Sequence, residues 1–173
     1  PGRSFTDELN KAFPHLHFNA EDLGYMSQEV KDLLSASTWP GMKILMFGFD
    51  GREEGQETPE FYKENTVCYT GTHDNTTLMG WLSEIPPEIM APLKKRFGDI
   101  SLDEIRERII QEGEKSRSFL MVVPIQDWLG LGKEARINTP GTASGNWQWR
   151  LSSMSMLDGL APKIRKTIGD RAE

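Results

Sequence analysis

The sequence contains one cysteine, Cys68, among 173 residues. A single cysteine excludes an intrachain disulfide and a zinc site built from several cysteines. Because disulfide-free proteins are typical of reducing compartments, we expect a cytoplasmic location. The chain opens on Pro-Gly-Arg-Ser and lacks the apolar segment of a secretory signal peptide, which agrees with that expectation.

Long hydrophobic runs and basic tracts are also missing. The longest apolar run, residues 119–123, has the length of a strand and falls far short of the roughly 20 residues that span a bilayer. Lys and Arg number 20 against 26 Asp and Glu, a net charge of −6. Without a basic cluster to neutralise phosphates, nucleic acid is not an expected partner. Without an apolar run of spanning length, a membrane is not expected either. No glycine-rich phosphate loop follows an apolar run, which disfavours a nucleotide-binding α/β protein.

What the sequence does contain is a repeated order of short apolar run, polar loop and helical pattern. The apolar runs cover residues 16–20, 42–47, 66–70 and 119–125. Strands that alternate with helices indicate parallel strands joined by helical crossovers. We therefore predict an α/β fold of four β/α units in a single region, residues 1–173. The second and fourth runs are almost wholly apolar, which predicts strands covered on both faces.

Helix signals support this organisation. Ser27 is a plausible N-cap, and Ser101 with Glu104 predicts a capping box. A helix carrying Leu78 should break at the prolines 86–87. A last helical pattern runs from residue 156 to residue 168.

Polar clusters directly follow three of the four runs. They are Glu21-Asp22, His73-Asp74-Asn75 and Gln126-Asp127. Because the carboxyl ends of parallel strands share one rim, these side chains should converge there. Carboxylates, a histidine and amides on one rim suit acid/base chemistry on a polyol, such as glycoside cleavage.

Each feature also has a structural interpretation. Glu21 and Asp22 could favour the start of the following helix, and Asp74 could be the N-cap of the helix through Leu78. The two histidines at residues 15 and 17 could hold a metal, but no third ligand follows at a recognisable spacing. We therefore predict no metal and no cofactor. Residues 147 and 149 are tryptophans in a Gly/Pro/Asn loop, where they would be either core side chains or sugar-stacking surfaces.

Six motifs in order resemble a known family. They are Ala-Glu-Asp-Leu-Gly (20–24), Pro-Gly-Met-Lys (40–43), Tyr-Thr-Gly-Thr-His-Asp-Asn-Thr-Thr (69–77), Pro-Ile-Gln-Asp (124–127), Arg-Ile-Asn-Thr-Pro-Gly (136–141) and Gly-Asn-Trp-Gln-Trp-Arg (145–150). Together they resemble the C-terminal part of the 4-α-glucanotransferases, the amylomaltase or disproportionating-enzyme family of the α-amylase clan. The resemblance runs from about residue 1 to about residue 150.

The resemblance implies a TIM (β/α)8 barrel, of which this chain would supply about the second half. It implies a transferase of starch or glycogen metabolism that moves α-1,4-glucan segments between glucans or maltooligosaccharides, with retention. Glu21 would be the general acid/base and Asp74 the transition-state stabiliser. His73, Asp22 and Asn138 would bind substrate.

These roles carry physical requirements. Glu21 must keep its proton near neutral pH, and burial against Leu16, Phe18 or Leu23 would raise its pKa. Transfer requires that a second sugar outcompete water, and the loops 132–149 and 50–59 could exclude water and hold the acceptor.

The sequence departs from the family at the nucleophile. The resemblance implies an aspartate in an earlier Arg-x-Asp segment, and the nearest look-alike, residues 136–138, ends in an amide. We therefore expect the chain alone to be inactive. Two alternatives stay open: a related α-glucan hydrolase, and a non-catalytic half barrel that binds carbohydrate or self-associates through its exposed sheet edges.

Overall fold

The structure is a computed structural model that describes residues 2–50 and 58–169. Its centre is a parallel sheet of three strands in the order β1 (Gly41–Ile44), β2 (Thr66–Tyr69) and β3 (Leu120–Val122). Ile44 lies opposite Tyr69, and Tyr69 opposite Val122, so the three strands end at the same level. The predicted α/β class and parallel pairing are confirmed.

Helices connect and flank the strands. They are α1 (Gly2–Ala12), α2 (Gln28–Ser37), α3 (Leu45–Asp50), α4 (Leu78–Glu84), α5 (Pro87–Phe97), α6 (Leu102–Lys115), α7 (Ile125–Leu129) and α8 (Leu160–Ile168), with 3₁₀ turns at Pro59–Phe61, Lys133–Ala135 and Met154–Leu157. Across the described ranges, none of these helices has the length and apolar content that crossing a bilayer requires.

Local sequence signals set the helix starts as predicted. The Ser27 hydroxyl accepts a hydrogen bond from the backbone N–H of Val30 at the start of α2. At α6, Ser101 and Glu104 form the reciprocal capping box. The proline pair separates α4 from α5. Pro86 is the N-cap and Pro87 the first residue of α5, where a proline costs no intrahelical hydrogen bond.

The core lies where the sheet meets α4 and α6. Ile44, Cys68, Leu78, Ile105 and Ile109 are all buried there. The two isoleucines of α6 are four residues apart, so they face the sheet from one side of the helix. This packing fixes the carboxyl ends of the strands, and with them the loops that follow.

The first apolar run is not a strand in this structure, so the predicted four β/α units are not confirmed. Residues 16–20 reach the sheet through a backbone bond from Ala20 N–H to Pro40 O at 2.9 Å, just before β1, and through the Asn19 side chain, which donates to the Tyr69 hydroxyl at 3.1 Å. Pro40 has no N–H to continue a ladder, and the next edge amide, Met42 N–H, donates to Asp22 Oδ1 at 2.6 Å. Within the described residues the sheet therefore has three strands, and the half barrel of four units is not confirmed.

The second and fourth apolar runs are partly helical. The second run leaves β1 after Ile44 and enters α3, and the end of the fourth run enters α7 at Ile125. A short apolar run does not by itself distinguish a strand from a buried helix. The prediction that this strand is buried on both faces is also wrong for β3, where Leu120 and Val122 are 46% and 39% exposed.

The capping box gives a test of local stability. We expect Ser101→Ala to lower the free energy of unfolding by about 1 kcal/mol, because the N–H of Glu104 loses its acceptor. Ser101→Thr retains the hydroxyl and should stay close to the parent protein in urea denaturation. Equal losses in the two variants would contradict a capping role.

Candidate active site

Residues 71–77, the loop between β2 and α4, carry His73 and Asp74. Within this loop, Thr72 N–H donates to Asn75 Oδ1 at 2.7 Å, and Asn75 N–H donates back to Thr72 O at 3.1 Å. The turn leaves the His73 and Asp74 side chains about half-exposed. Asp74 is not the N-cap of α4; the Thr77 hydroxyl has that role and accepts from Gly80 N–H at 3.0 Å.

Asp74 is held by a second segment that is distant in sequence. Asn138 Nδ2 donates to Asp74 Oδ1 at 2.5 Å, and Arg136 Nη2 donates to the Asp74 carbonyl at 2.6 Å. Arg136 Nε also donates to Asn138 O at 2.7 Å, and His73 Nε2 lies 3.4 Å from Asp74 Oδ1. The structure therefore brings together His73, Asp74 and Asn138, and it uses the Asn138 amide to orient the carboxylate.

Trp147 lies beside this cluster. Its ring centroid is 5.0 Å from that of His73, with the planes tilted by 37°. The side chain is 57% exposed, so Trp147 is not a core residue. Its backbone has φ +62°, which is uncommon outside glycine, and its N–H donates to Ile137 O at 2.7 Å. An exposed aromatic face next to a carboxylate and an imidazole is a suitable surface for a sugar ring.

A cavity separates the loop from the segments that follow β3. It is lined by Gly71, Thr72, His73, Asn75, Thr76, Thr77, Pro124, Gln126, Asp127, Ala135, Arg136 and Ile137. Its volume of about 30 Å³ admits water but not a sugar ring. A sugar would therefore contact the exposed His73, Asp74 and Trp147 side chains rather than enter this cavity.

The cluster predicted after the fourth run is buried instead of facing substrate. Gln126 and Asp127 lie in α7, and Gln126 Nε2 donates to Ala135 O at 3.4 Å. Asp127 accepts from Thr70 Oγ1 at 2.5 Å and from Leu78 N–H at 2.7 Å. Burial raises the pKa of the Asp127 carboxyl, while these hydrogen bonds and the nearby Arg106 act in the opposite direction.

Glu21 and Asp22 lie on a different segment. The Asp22 carboxylate is engaged by Met42 N–H at the start of β1, and Ser27 rather than Glu21 or Asp22 caps α2. Asn19 Nδ2 donates to the Tyr69 hydroxyl at 3.1 Å, which ties the segment before Glu21 to the end of β2.

The burial expected around Glu21 is not found, because its side chain and that of Leu16 are exposed. In the described part of the chain, no hydrogen bond or ion pair joins Glu21 to the Asp74 cluster. Nor do those residues include a group of three His, Cys, Asp or Glu side chains arranged to hold a metal ion.

Fold and site define an α/β protein with an aspartate, a histidine and an indole grouped after the carboxyl end of a parallel strand. The profile of the 4-alpha-glucanotransferase family matches residues 1–156, and the chain belongs to this family. It is 36% identical over 166 residues to a 4-alpha-glucanotransferase of Solanum tuberosum, covering 96% of this chain and 29% of the relative. It is 39% identical over 163 residues to a 4-alpha-glucanotransferase of Synechocystis, covering 93% of this chain and 32% of that relative.

A solved structure agrees with the sequence relatives. An amylomaltase from Streptococcus agalactiae in complex with acarbose matches with a TM-score of 0.87 at 30% identity, over 96% of this chain and 34% of that chain. This likeness supports the TIM-barrel type of fold. The chain spans about 30% of the length of the relatives named above.

Neither the contact of Arg136 with Asp74 nor that of Thr70 with Asp127 was predicted from the sequence. The position of Asp127 just after an apolar run was visible, but its partners lie 57 and 49 residues away. Nothing local distinguishes a carboxylate that faces substrate from one that supports a loop.

The raised pKa of Asp127 has a measurable consequence. The folded state holds this proton more tightly than the unfolded state, whose carboxyl titrates near 3.8. The difference between the unfolding free energies of the parent protein and Asp127→Asn (parent minus variant) should therefore fall as the pH rises through and above 3.8. At higher pH the difference should become constant. Urea denaturation of both proteins across pH measures the difference; a difference that rises with pH would contradict the assigned direction.

Proposed function

We propose that the complete protein containing this chain is a 4-alpha-glucanotransferase that transfers α-1,4-glucan segments between glucans or maltooligosaccharides with retention. Family membership sets the class. The observation that carries the proposal is the Asp74 carboxylate, half-exposed and fixed by Asn138 beside His73 and Trp147. The name of the S. agalactiae structure, a complex with acarbose, is consistent with a carbohydrate substrate.

Asp74 would stabilise positive charge on the reacting sugar carbon. Its Oδ1 is bonded to Asn138, which leaves the other oxygen for a sugar hydroxyl or the developing oxocarbenium ion. A carboxylate that is already oriented needs no reorganisation as charge develops. His73, on the same turn, would bind hydroxyls of the same sugar.

Glu21 would protonate the leaving oxygen and later deprotonate the acceptor hydroxyl. For this it must retain a proton, and its exposure in this chain implies that another part of the protein covers it. The nucleophilic carboxylate would also come from outside this chain. In a retaining enzyme the two carboxyl groups lie about 5–5.5 Å apart, on either side of the scissile bond.

Trp147 would favour transfer over hydrolysis by holding an acceptor sugar on its exposed face. Most of the other loop predicted to exclude water, residues 50–59, lies outside the described residues. Asp22 would act indirectly, by fixing the segment next to Glu21 against β1.

Loss of either proposed catalytic group gives the main test. In the complete protein, Glu21→Gln and Asp74→Asn should each lower the rate of maltotriose disproportionation, by on the order of 10²–10⁴, because proton transfer or charge stabilisation is lost. Glu88→Gln and Asp158→Asn make the same chemical changes at exposed positions and should leave the rate unchanged. Retained turnover in a site variant would remove the role given to that residue.

A second test concerns Trp147. Trp147→Ala should raise glucose release by hydrolysis relative to formation of longer oligosaccharides, since the acceptor loses its stacking surface. Trp147→Phe keeps an aromatic face and should give an intermediate ratio. Product analysis by chromatography measures the ratio, and equal ratios in all three proteins would exclude Trp147 from acceptor binding.

Two alternatives predict different outcomes. A related hydrolase would release glucose from maltotriose without forming longer products. A non-catalytic module would bind maltooligosaccharides without turnover, or self-associate through the apolar side chains that β3 exposes, Leu120 and Val122. The cytoplasmic location stays a prediction; the potato relative is named chloroplastic/amyloplastic.

A further inference from the structure

One buried carboxylate contacts the residues on both sides of the 71–77 loop. Asp127 Oδ2 accepts from the hydroxyl of Thr70, the residue before the loop. Its Oδ1 accepts from the backbone N–H of Leu78, the residue after the loop. Asp127 is 1% exposed and Thr70 is fully buried, so both bonds are shielded from bulk solvent.

These contacts differ from the bonds inside the loop. The hydrogen bonds between Thr72 and Asn75 give the turn its shape but do not set its position relative to the sheet. Two bonds to one carboxylate attach both ends of the turn to a single point on α7. Bonds to a carboxylate are also stronger than those between neutral groups.

The backbone of Asp127 is itself held by a core helix. Arg106 of α6, 1% exposed, donates through Nη1 to the Asp127 carbonyl at 2.7 Å. The same guanidinium donates hydrogen bonds to Asp103 Oδ1 from Nε at 2.8 Å and from Nη2 at 2.7 Å. The path from α6 through Arg106 to Asp127 therefore anchors the loop to a core helix.

We propose that Asp127 is a positioning residue for the Asp74 site, which acts by holding Thr70 and Leu78 and so fixing where the 71–77 loop presents Asp74. The catalytic part of this inference rests on the function proposed above for Asp74. Asp127 itself touches no substrate, because it lies beneath the loop.

Thr70 allows the contact to be tested with a small change of shape. Thr70→Val removes the hydroxyl that donates to Asp127, and Thr70→Ser restores it. Thr66→Val is the matched control at the other end of β2. Its hydroxyl is also buried, and it donates to Lys63 O at 2.7 Å and contacts Ser118 Oγ at 2.8 Å. Both valine variants lose a buried hydrogen bond, Thr66→Val at the first residue of β2 and Thr70→Val just after its last residue.

The first readout is maltotriose disproportionation by the complete protein. Thr70→Val should lower kcat by about 10- to 100-fold with little change in KM, because a displaced carboxylate loses contacts made in the transition state. Thr70→Ser should recover most of the kcat, and Thr66→Val should keep the parent value. Equal loss of kcat in Thr66→Val and Thr70→Val would overturn the proposal, since general destabilisation would then explain both.

The second readout, hydrogen–deuterium exchange of the peptide covering 71–78, does not depend on activity. Exchange should accelerate in Thr70→Val and Asp127→Asn, and remain at the parent rate in Thr66→Val. Unchanged exchange in the first two variants would overturn the proposal, as would faster exchange with an unaltered kcat. If the parent protein transferred no glucan, the proposed function would be refuted instead. The hydrogen–deuterium exchange rates would then decide whether the Asp127 carboxylate holds the loop.

Discussion

The site depends on a carboxylate buried where β2, α4, α6 and α7 meet. A charged group removed from water is tolerated only when its oxygens are hydrogen-bonded, and Asp127 meets this condition with Thr70 and Leu78. The buried Arg106 also lies beside it and donates to its backbone carbonyl. The partners of Asp127 therefore join the end of one strand to the start of the next helix, and the loop between them is held at its base.

The other side of the loop is held by polar groups near the surface. Arg136 and Asn138 bind the backbone and side chain of Asp74, while His73 and Trp147 lie next to it with large exposed faces. Buried contacts fix the position of the loop, and exposed side chains are left for chemistry. This division agrees with the general use of rigid scaffolds to position loops that carry function.

The edges of the sheet present different surfaces. Beside β1, the segment that carries Glu21 is attached through the Ala20 and Asp22 contacts, and Glu21 itself is exposed. At β3, alternate apolar side chains are exposed. The chain spans about 30% of the length of its relatives, and the acid/base role proposed for Glu21 requires cover from beyond these edges.

Local patterns in the sequence determined the parallel α/β class, the starts of α2 and α6 and the grouping of His73 with Asp74, because caps and turns act between near neighbours. Only the tertiary structure decided that residues 16–20 remain outside the sheet, that the chain turns helical after Ile44, and that Trp147 is exposed. It also assigned Asp127 to the support of the loop. These outcomes depend on which distant groups meet, and burial and hydrogen bonding across 49 or 57 residues leave no local pattern.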